Sequence, residues 1–183
     1  VPHISVPDGD SEADNVELRQ VGEKPEFSFT PKSHLELLAP ADFNRGVKVA
    51  GFRGYFLSDL AAEFSFALWQ FALDELRGKG FKLLMAPSLL RPEPFLGTGY
   101  LPQGVDDLYK TQDGDYLSGT AEVATMGYFM DEVFKPEELP KKLVAFSPCF
   151  RREAGSHGKD TKGAVRVHEF FKVEQVVLCE ANH

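Results

Sequence analysis

The sequence predicts an α+β fold, an antiparallel sheet flanked by helices, and three observations carry that reading. Strand-like and helix-like stretches follow one another without regular alternation, which disfavours a parallel, doubly wound sheet. Residues 143–178 read as a hairpin of two long strands around a glycine-rich loop at 154–163. The second strand of that hairpin is two-faced: side chains alternate, so Arg166, His168, Phe170 and Glu174 point one way while Val165, Val167, Phe171, Val173 and Val177 point the other. A sheet of this kind packs one face on a core and leaves the other open to a ligand.

The remaining elements are expected in the following order. Residues 1–34 are rich in Pro, Asp, Glu and Gly with one short strand candidate at 15–21, so they form an irregular lead-in to a domain at 35–183. A helix is expected over 58–78, with Ser58 or Asp59 as N-cap and Gly78 just past its end. At about 100° per residue, Ala61, Phe64, Leu68 and Phe71 form one apolar stripe, and Phe66, Trp69, Leu73 and Leu76 widen it. Such a helix either covers the sheet with one face and meets a partner subunit with the other, or is buried wholly in its own domain. A short strand at 81–87 ends at Pro87, which cannot donate to a ladder. A loop with Gly97, Gly99 and Pro102, a strand at 115–122 and a helical segment at 123–133 complete the series.

At 183 residues, 43% hydrophobic and 12% aromatic, the chain has the make-up of one globular domain. A net charge of −8 argues against a surface that coats nucleic acid, because nonspecific binding rests on lysines and arginines, so any RNA contact is local. No apolar run approaches the ~20 residues of a membrane span, and the N-terminus lacks the pattern of a signal peptide; a cytoplasmic location is expected. Cys149 and Cys179 are the two cysteines, without Cys-x-x-Cys spacing, and are expected as buried free thiols.

The candidate chemistry lies on the hairpin. Arg151 can hold a phosphate oxygen and neutralise charge that builds during phosphoryl or adenylyl transfer; the alternative is a strand-end salt bridge with Glu153, which would share its strand face. Phe170 can stack on a base, Glu153 can accept from an exocyclic amino group, and Arg166 can hold a second phosphate. Glu174 can accept from a small substrate's hydroxyl. Thr120 and Glu122 would share a strand face suited to an ammonium group, or form a helix-capping pair. No P-loop, nucleophile elbow or zinc spacing occurs, so His157 and His168 are read as loop or hydrogen-bonding residues.

With these residues in place, the chain closely resembles, along nearly its whole length, the catalytic domain of class II seryl-tRNA synthetases of the common, bacterial-like type. The segments Asp14-Asn15-Val16 and His34-Leu35-Glu36-Leu37 are similar to the approach to that domain. The 58–87 helix and strand look like motif 1; Gly97-Thr98-Gly99-Tyr100-Leu101-Pro102 and Thr120-Ala121-Glu122 follow in family order. Phe150-Arg151-Arg152-Glu153-Ala154-Gly155-Ser156 looks like motif 2, with Arg166-Val167-His168-Glu169-Phe170 and Lys172-Val173-Glu174 behind it. Their order and spacing, rather than any single match, make the resemblance specific.

The resemblance implies a class II synthetase-like antiparallel sheet and ATP-dependent activation of serine with Mg²⁺, followed by transfer to the acceptor end of tRNA(Ser). Arg151 would contact the ATP α-phosphate and the serine carboxylate, Glu153 the adenine amino group, Phe170 the adenine face and Arg166 the other phosphates. Thr120 and Glu122 would bind the serine amino end, and Glu174 its hydroxyl; an unpaired Glu174 would penalise alanine by on the order of 1 to 3 kcal/mol. A homodimer through 58–87 is implied. The family's coiled-coil arm and motif 3 are not found, so a fragment with weak activity and poor tRNA selection is expected. A carrier-protein ligase and a nucleotide-binding or dimerising paralogue without turnover remain alternatives. Ala124 and Glu169 stand where the family often has proline and glutamine, and neither removes a named contact.

Overall fold

The computed structural model describes residues 6–38, 41–155 and 163–181. By internal contacts the chain divides into Val1–Ser33 and His34–His183. In the first unit every described residue is exposed, and the one regular feature is a single 3-10 turn, Glu12–Asp14. Ser11 caps it: its Oγ accepts from the Ala13 amide at 3.2 Å, and the Asp14 carboxylate accepts from the amides of Asp10 and Ser11 at 3.0 Å each. Those donors hold the Asp14 carboxyl below the usual range. The strand expected at 15–21 does not form, because a lone amphipathic stretch with no described neighbouring strand has no ladder to join.

The second unit runs α1 (His34–Leu37), β1 (Ala41–Asp42), α2 (Phe43–Ala50), β2 (Phe56–Leu57) and α3 (Asp59–Gly78). It continues with β3 (Lys82–Met85), β4 (Leu89–Leu90), α4 (Pro92–Gly97), β5 (Tyr109–Lys110) and β6 (Tyr116–Leu117). Last come α5 (Ala121–Gly127), β7 (Lys141–Phe150) and β8 (Glu169–Leu178). The fold is α+β. The main sheet has the order β3-β7-β8: the long β7–β8 pair is antiparallel, and β3 joins its other edge in parallel, Lys82 opposite Leu143.

Helix α3 starts after Ser58, which occupies the N-cap position without a capping bond from its hydroxyl. Gly78 is its last residue rather than the one just past its end. Gly80, at φ 82°, takes the left-handed turn, with its amide bonded to Arg77 O at 3.0 Å and Phe81 N bonded to Leu76 O at 3.1 Å. That pair of bonds closes the helix, and glycine is the residue that reaches such a φ without strain.

The broad apolar surface of α3 splits in two. Ala61, Ala62, Ser65, Trp69, Leu73 and Leu76 are half-buried toward the sheet, and Trp69 packs at a tilt against Phe146 and Phe171 at ring distances of 5.3 and 5.0 Å. Leu60, Phe64, Leu68 and Phe71 form a second stripe that is 54–68% exposed. The helix is therefore not buried within its own domain, since none of its residues is classed as buried.

A compact core sits beside the sheet: Leu90, Phe95, Leu108, Tyr116 and Val123 pack together, with Phe95 and Val123 fully buried. These residues come from β4, α4, β6, α5 and the turn before β5, so they fix the start of α5 against the hairpin. Pro92 at the first turn of α4 suits a position whose amide has no helical partner.

Candidate active site

The register of β7 and β8 decides which side chains meet. Ala145, Ser147 and Cys149 lie opposite Glu174, Lys172 and Phe170, so these six share the face that α5 covers. Phe146, Pro148 and Phe150 lie opposite Val173, Phe171 and Glu169 on the reverse face, toward α3. Burial of Cys149 pushes its thiol up, and it is a free cysteine; Cys179 is exposed, not buried as expected.

Thr120 corrects the expected 115–122 strand. Pairing stops at Leu117, Ser118 N turns to Ser88 O at 2.7 Å, and Thr120 becomes the N-cap of α5, its Oγ1 accepting from Glu122 N at 3.4 Å. The capping alternative thus holds, and Glu122 belongs to the first helical turn. The helix that follows stops at Gly127, short of the expected 133. From the cap, Thr120 Oγ1 donates to Glu174 Oε2 at 2.8 Å and accepts from Lys172 Nζ at 3.0 Å, and Lys172 also contacts the same Glu174 oxygen. Glu122 accepts from Tyr100 OH at 3.3 Å. Burial, and then the Glu122 carboxylate, push the Tyr100 phenol above the ordinary tyrosine range, with a smaller push in the same direction from Glu174 and a smaller opposing pull from Arg151. One phenol therefore senses all three charged candidates.

Arg151 and Glu153 lie beyond β7, not on a strand face as expected. The strand ends at Phe150; Glu153 takes φ 56°, and Asp107 anchors the turn by accepting from Arg152 N through its carbonyl and from Ala154 N through its carboxylate, each at 3.0 Å. Arg151 Nε donates to Gly119 O at 3.1 Å, and its guanidinium carbon sits 5.2 Å from the centroid of the Phe170 ring. Glycine at 119 permits this approach, because a Cβ there would lie 3.2 Å from both Arg151 Cγ and Phe150 O.

The alternative Arg151–Glu153 bridge does not form among the described residues. Glu153 pairs with Arg166 at 2.6 Å instead. Arg166 and His168 precede β8, so strand alternation does not apply to them. His168 Nδ1 lies 2.9 Å from Arg151 O, and its ring faces Phe52 and Tyr109 rather than sharing a face with Phe170. His157 and the loop glycine and lysines between 156 and 162 lie outside the described residues.

On the reverse face a cavity of about 500 Å³ opens between α2, α3 and the hairpin, lined by Phe52, Tyr55, Trp69, Phe150, His168 and Phe171 among others. None of the candidate residues that bear charge on the α5 face lines it. The chemistry converges on the other side, where Arg151, Phe170, Thr120, Glu122 and Glu174 meet. Two residues there escaped the sequence argument. Lys172 was legible by period two, between Phe170 and Glu174; Tyr100, from the turn after α4, had no such signal.

Among the described residues no group of three or more His, Cys, Asp or Glu is placed to hold a metal ion, and no helix is long and apolar enough to cross a membrane. The site thus sits on a long antiparallel strand pair, with Arg151 just past one strand and Phe170 and Glu174 on the other, edged by a parallel strand that follows a long amphipathic helix. Residues 109–183 match the family described as tRNA synthetase class II core domain (G, H, P, S and T). The chain is 46% identical over 173 residues to a serine–tRNA ligase of a Nocardioides species, covering 91% of this chain and 41% of that protein. It is 45% identical over 188 residues to one of a Sulfurihydrogenibium species, covering 98% and 45%. Over nearly its whole length the chain is thus similar to seryl-tRNA synthetases, and its residues from 109 onward match the class II core.

Solved structures agree. The cytoplasmic serine–tRNA ligase of Naegleria fowleri in complex with AMP superposes with a TM-score of 0.88 at 34% identity, over 96% of this chain and 43% of that one. The seryl-tRNA synthetase of Pyrococcus horikoshii complexed with ATP gives 0.85 at 39% identity, over 96% and 44%. The chain therefore spans less than half the length of these relatives.

Proposed function

We propose that this chain is the serine- and ATP-binding part of an enzyme that activates serine as seryl-adenylate and transfers it to tRNA(Ser). The observation that carries the reading is the convergence of Thr120, Glu122, Arg151, Phe170 and Glu174, from three separate stretches of sequence, on one face of the hairpin. In this reading the serine ammonium meets Glu122 and Thr120, its hydroxyl donates to Glu174, and its carboxylate lies beside Arg151. Adenine stacks on Phe170. Glu153 and Arg166, now paired with each other, would part to take the adenine amino group and the outer phosphates.

The chemistry is displacement at phosphorus. A serine carboxylate oxygen forms a bond to the ATP α-phosphorus as the bond to the β-phosphate bridging oxygen breaks, and pyrophosphate leaves. The terminal ribose hydroxyl of tRNA then attacks the acyl carbon, and AMP leaves. Arg151 offsets the charge gathering on the α-phosphoryl oxygens, a contribution that is greatest when the guanidinium is already held in place, as its bond to Gly119 O holds it. Among the described residues no cluster of ligands fits Mg²⁺, which in this reading would come with the nucleotide's phosphates and help offset their charge.

The exposed stripe Leu60, Phe64, Leu68 and Phe71 supports a homodimer through 58–87, since four large apolar side chains on one helix face make a contiguous patch that water does not favour. The deciding assay is serine-dependent exchange of pyrophosphate into ATP. Exchange with serine but not alanine, abolished by Glu174→Ala, is expected; no exchange with serine, or equal exchange with both amino acids, overturns the reading.

A further inference from the structure

Lys172 has no part in the roles set out above, yet it touches two of the residues that hold the amino acid. Its Nζ reaches Thr120 Oγ1 at 3.0 Å and contacts Glu174 Oε2, while Thr120 Oγ1 donates to that same Oε2. The three groups close a triangle on one carboxylate oxygen, and no hydrogen bond from another described residue ends on the other oxygen, Oε1. The register makes this unavoidable: Lys172 and Glu174 are two apart on one strand face, opposite Ser147 and Ala145, and both reach toward the α5 cap.

We infer that Lys172 sets the substrate class of this pocket by neutralising Glu174 in advance, so that the free carboxylate oxygen accepts from a neutral hydroxyl and does not attract a cationic side chain. The inference rests on the serine reading and adds to it. The charges explain why. Glu122 and Arg151 match the ammonium and carboxylate that every α-amino acid carries, and Lys172 and Glu174 cancel each other, so the side-chain end of the pocket is left neutral. A bare Glu174 would favour the amine analogue of serine, 2,3-diaminopropionate, through an ion pair stronger than a hydrogen bond from a hydroxyl. With Lys172 in place, a second ammonium at Glu174 meets like charge within contact distance. Lys172 is thus a positioning and specificity residue rather than a catalytic one.

The test uses the purified chain and three sulfamoyl adenosine mimics of the aminoacyl-adenylate, carrying serine, alanine or 2,3-diaminopropionate, with dissociation constants measured by calorimetry at neutral pH. The unaltered chain is expected to bind the seryl mimic in preference to both others. In Lys172→Met the seryl mimic should weaken about tenfold, a change of about 1.4 kcal/mol, the alanyl mimic should change little, and the diaminopropionyl mimic should become the tightest of the three. Lys172→Arg should keep the original order, and Lys172→Gln repeats the charge removal with a polar side chain if the methionine variant does not fold. An unaltered chain that fails to prefer seryl over alanyl mimic sinks the serine reading, and this inference with it. An unaltered chain with that preference, joined to a Met or Gln variant that keeps the order or weakens all three mimics equally, sinks the Lys172 inference alone.

Discussion

Replacing Thr120 with valine preserves the volume of a side chain that is 2% exposed and deletes its hydroxyl. Three interactions end on that oxygen: the bond donated to Glu174 at 2.8 Å, the one accepted from Lys172 at 3.0 Å and the cap to Glu122 N at 3.4 Å. Losing a hydrogen bond to a charged group costs about 1.5–3 kcal/mol, and losing a helix cap about 0.5–2 kcal/mol. The cap here is long, so its share falls at the low end. Lys172 and Glu174 side chains keep 34% and 20% of their exposure and still contact each other, so water and their mutual pairing recover part of the loss. The expected net destabilisation is therefore about 2 kcal/mol, below the simple sum, because groups in one network are not additive. Urea denaturation followed by circular dichroism reads it as a lowered midpoint at unchanged slope. Thr120→Ser, which keeps the hydroxyl and loses a buried methyl, should cost about 1 kcal/mol. If valine is tolerated within about 0.5 kcal/mol, the ordinary range for inconsequential surface changes, or if serine is the worse of the two, the network does not anchor α5 to the hairpin.

Phe95→Ala removes the fully buried ring at the centre of the core beside α5 and should cost about 3–5 kcal/mol, whereas Phe64→Ala, on the exposed stripe of α3, should leave the denaturation midpoint of the monomer nearly unchanged. Alkylation by iodoacetamide, located by mass spectrometry, should modify exposed Cys179 readily and spare Cys149 in the native state. Because burial raises the Cys149 thiol in the folded chain, its contribution to stability is fully present below the ordinary thiol range, is lost as pH rises through the raised folded value, and should be missing from the alkaline limb of a Cys149→Ala stability profile. Equal labelling of both cysteines at neutral pH would contradict the packing of the β7 face.

The hairpin, the amphipathic helix and most of the candidate residues were legible in the sequence because they depend on local periodicity. A period of two places Phe170, Lys172 and Glu174 together whatever the rest of the chain does, and a period near 3.6 gives α3 two apolar stripes. The same rule failed where its premise failed. Arg151, Glu153, Arg166 and His168 lie outside the strands, so alternation assigned them faces that the turn at Glu153 and its anchor Asp107 replaced. Thr120 and Glu122 looked like strand neighbours until the ladder stopped at Leu117 and left Thr120 to cap a helix.

Which charges pair is a question of distances between segments far apart in sequence, and periodicity holds no information about it. Arg166 rather than Arg151 neutralises Glu153; Arg151 turns to Gly119 O and Phe170; Lys172 closes on Glu174 through a threonine fifty-two residues away. By itself the sequence determined the long helix, the two-faced hairpin and the resemblance to seryl-tRNA synthetases, because these follow from side-chain pattern and order. Only the tertiary structure decided the ion pairing, the exposed second stripe of α3 and the closure of Thr120, Lys172 and Glu174 on one another, because each is set by how packed elements bring distant groups within a few ångströms, where electrostatic and hydrogen-bond energies become large.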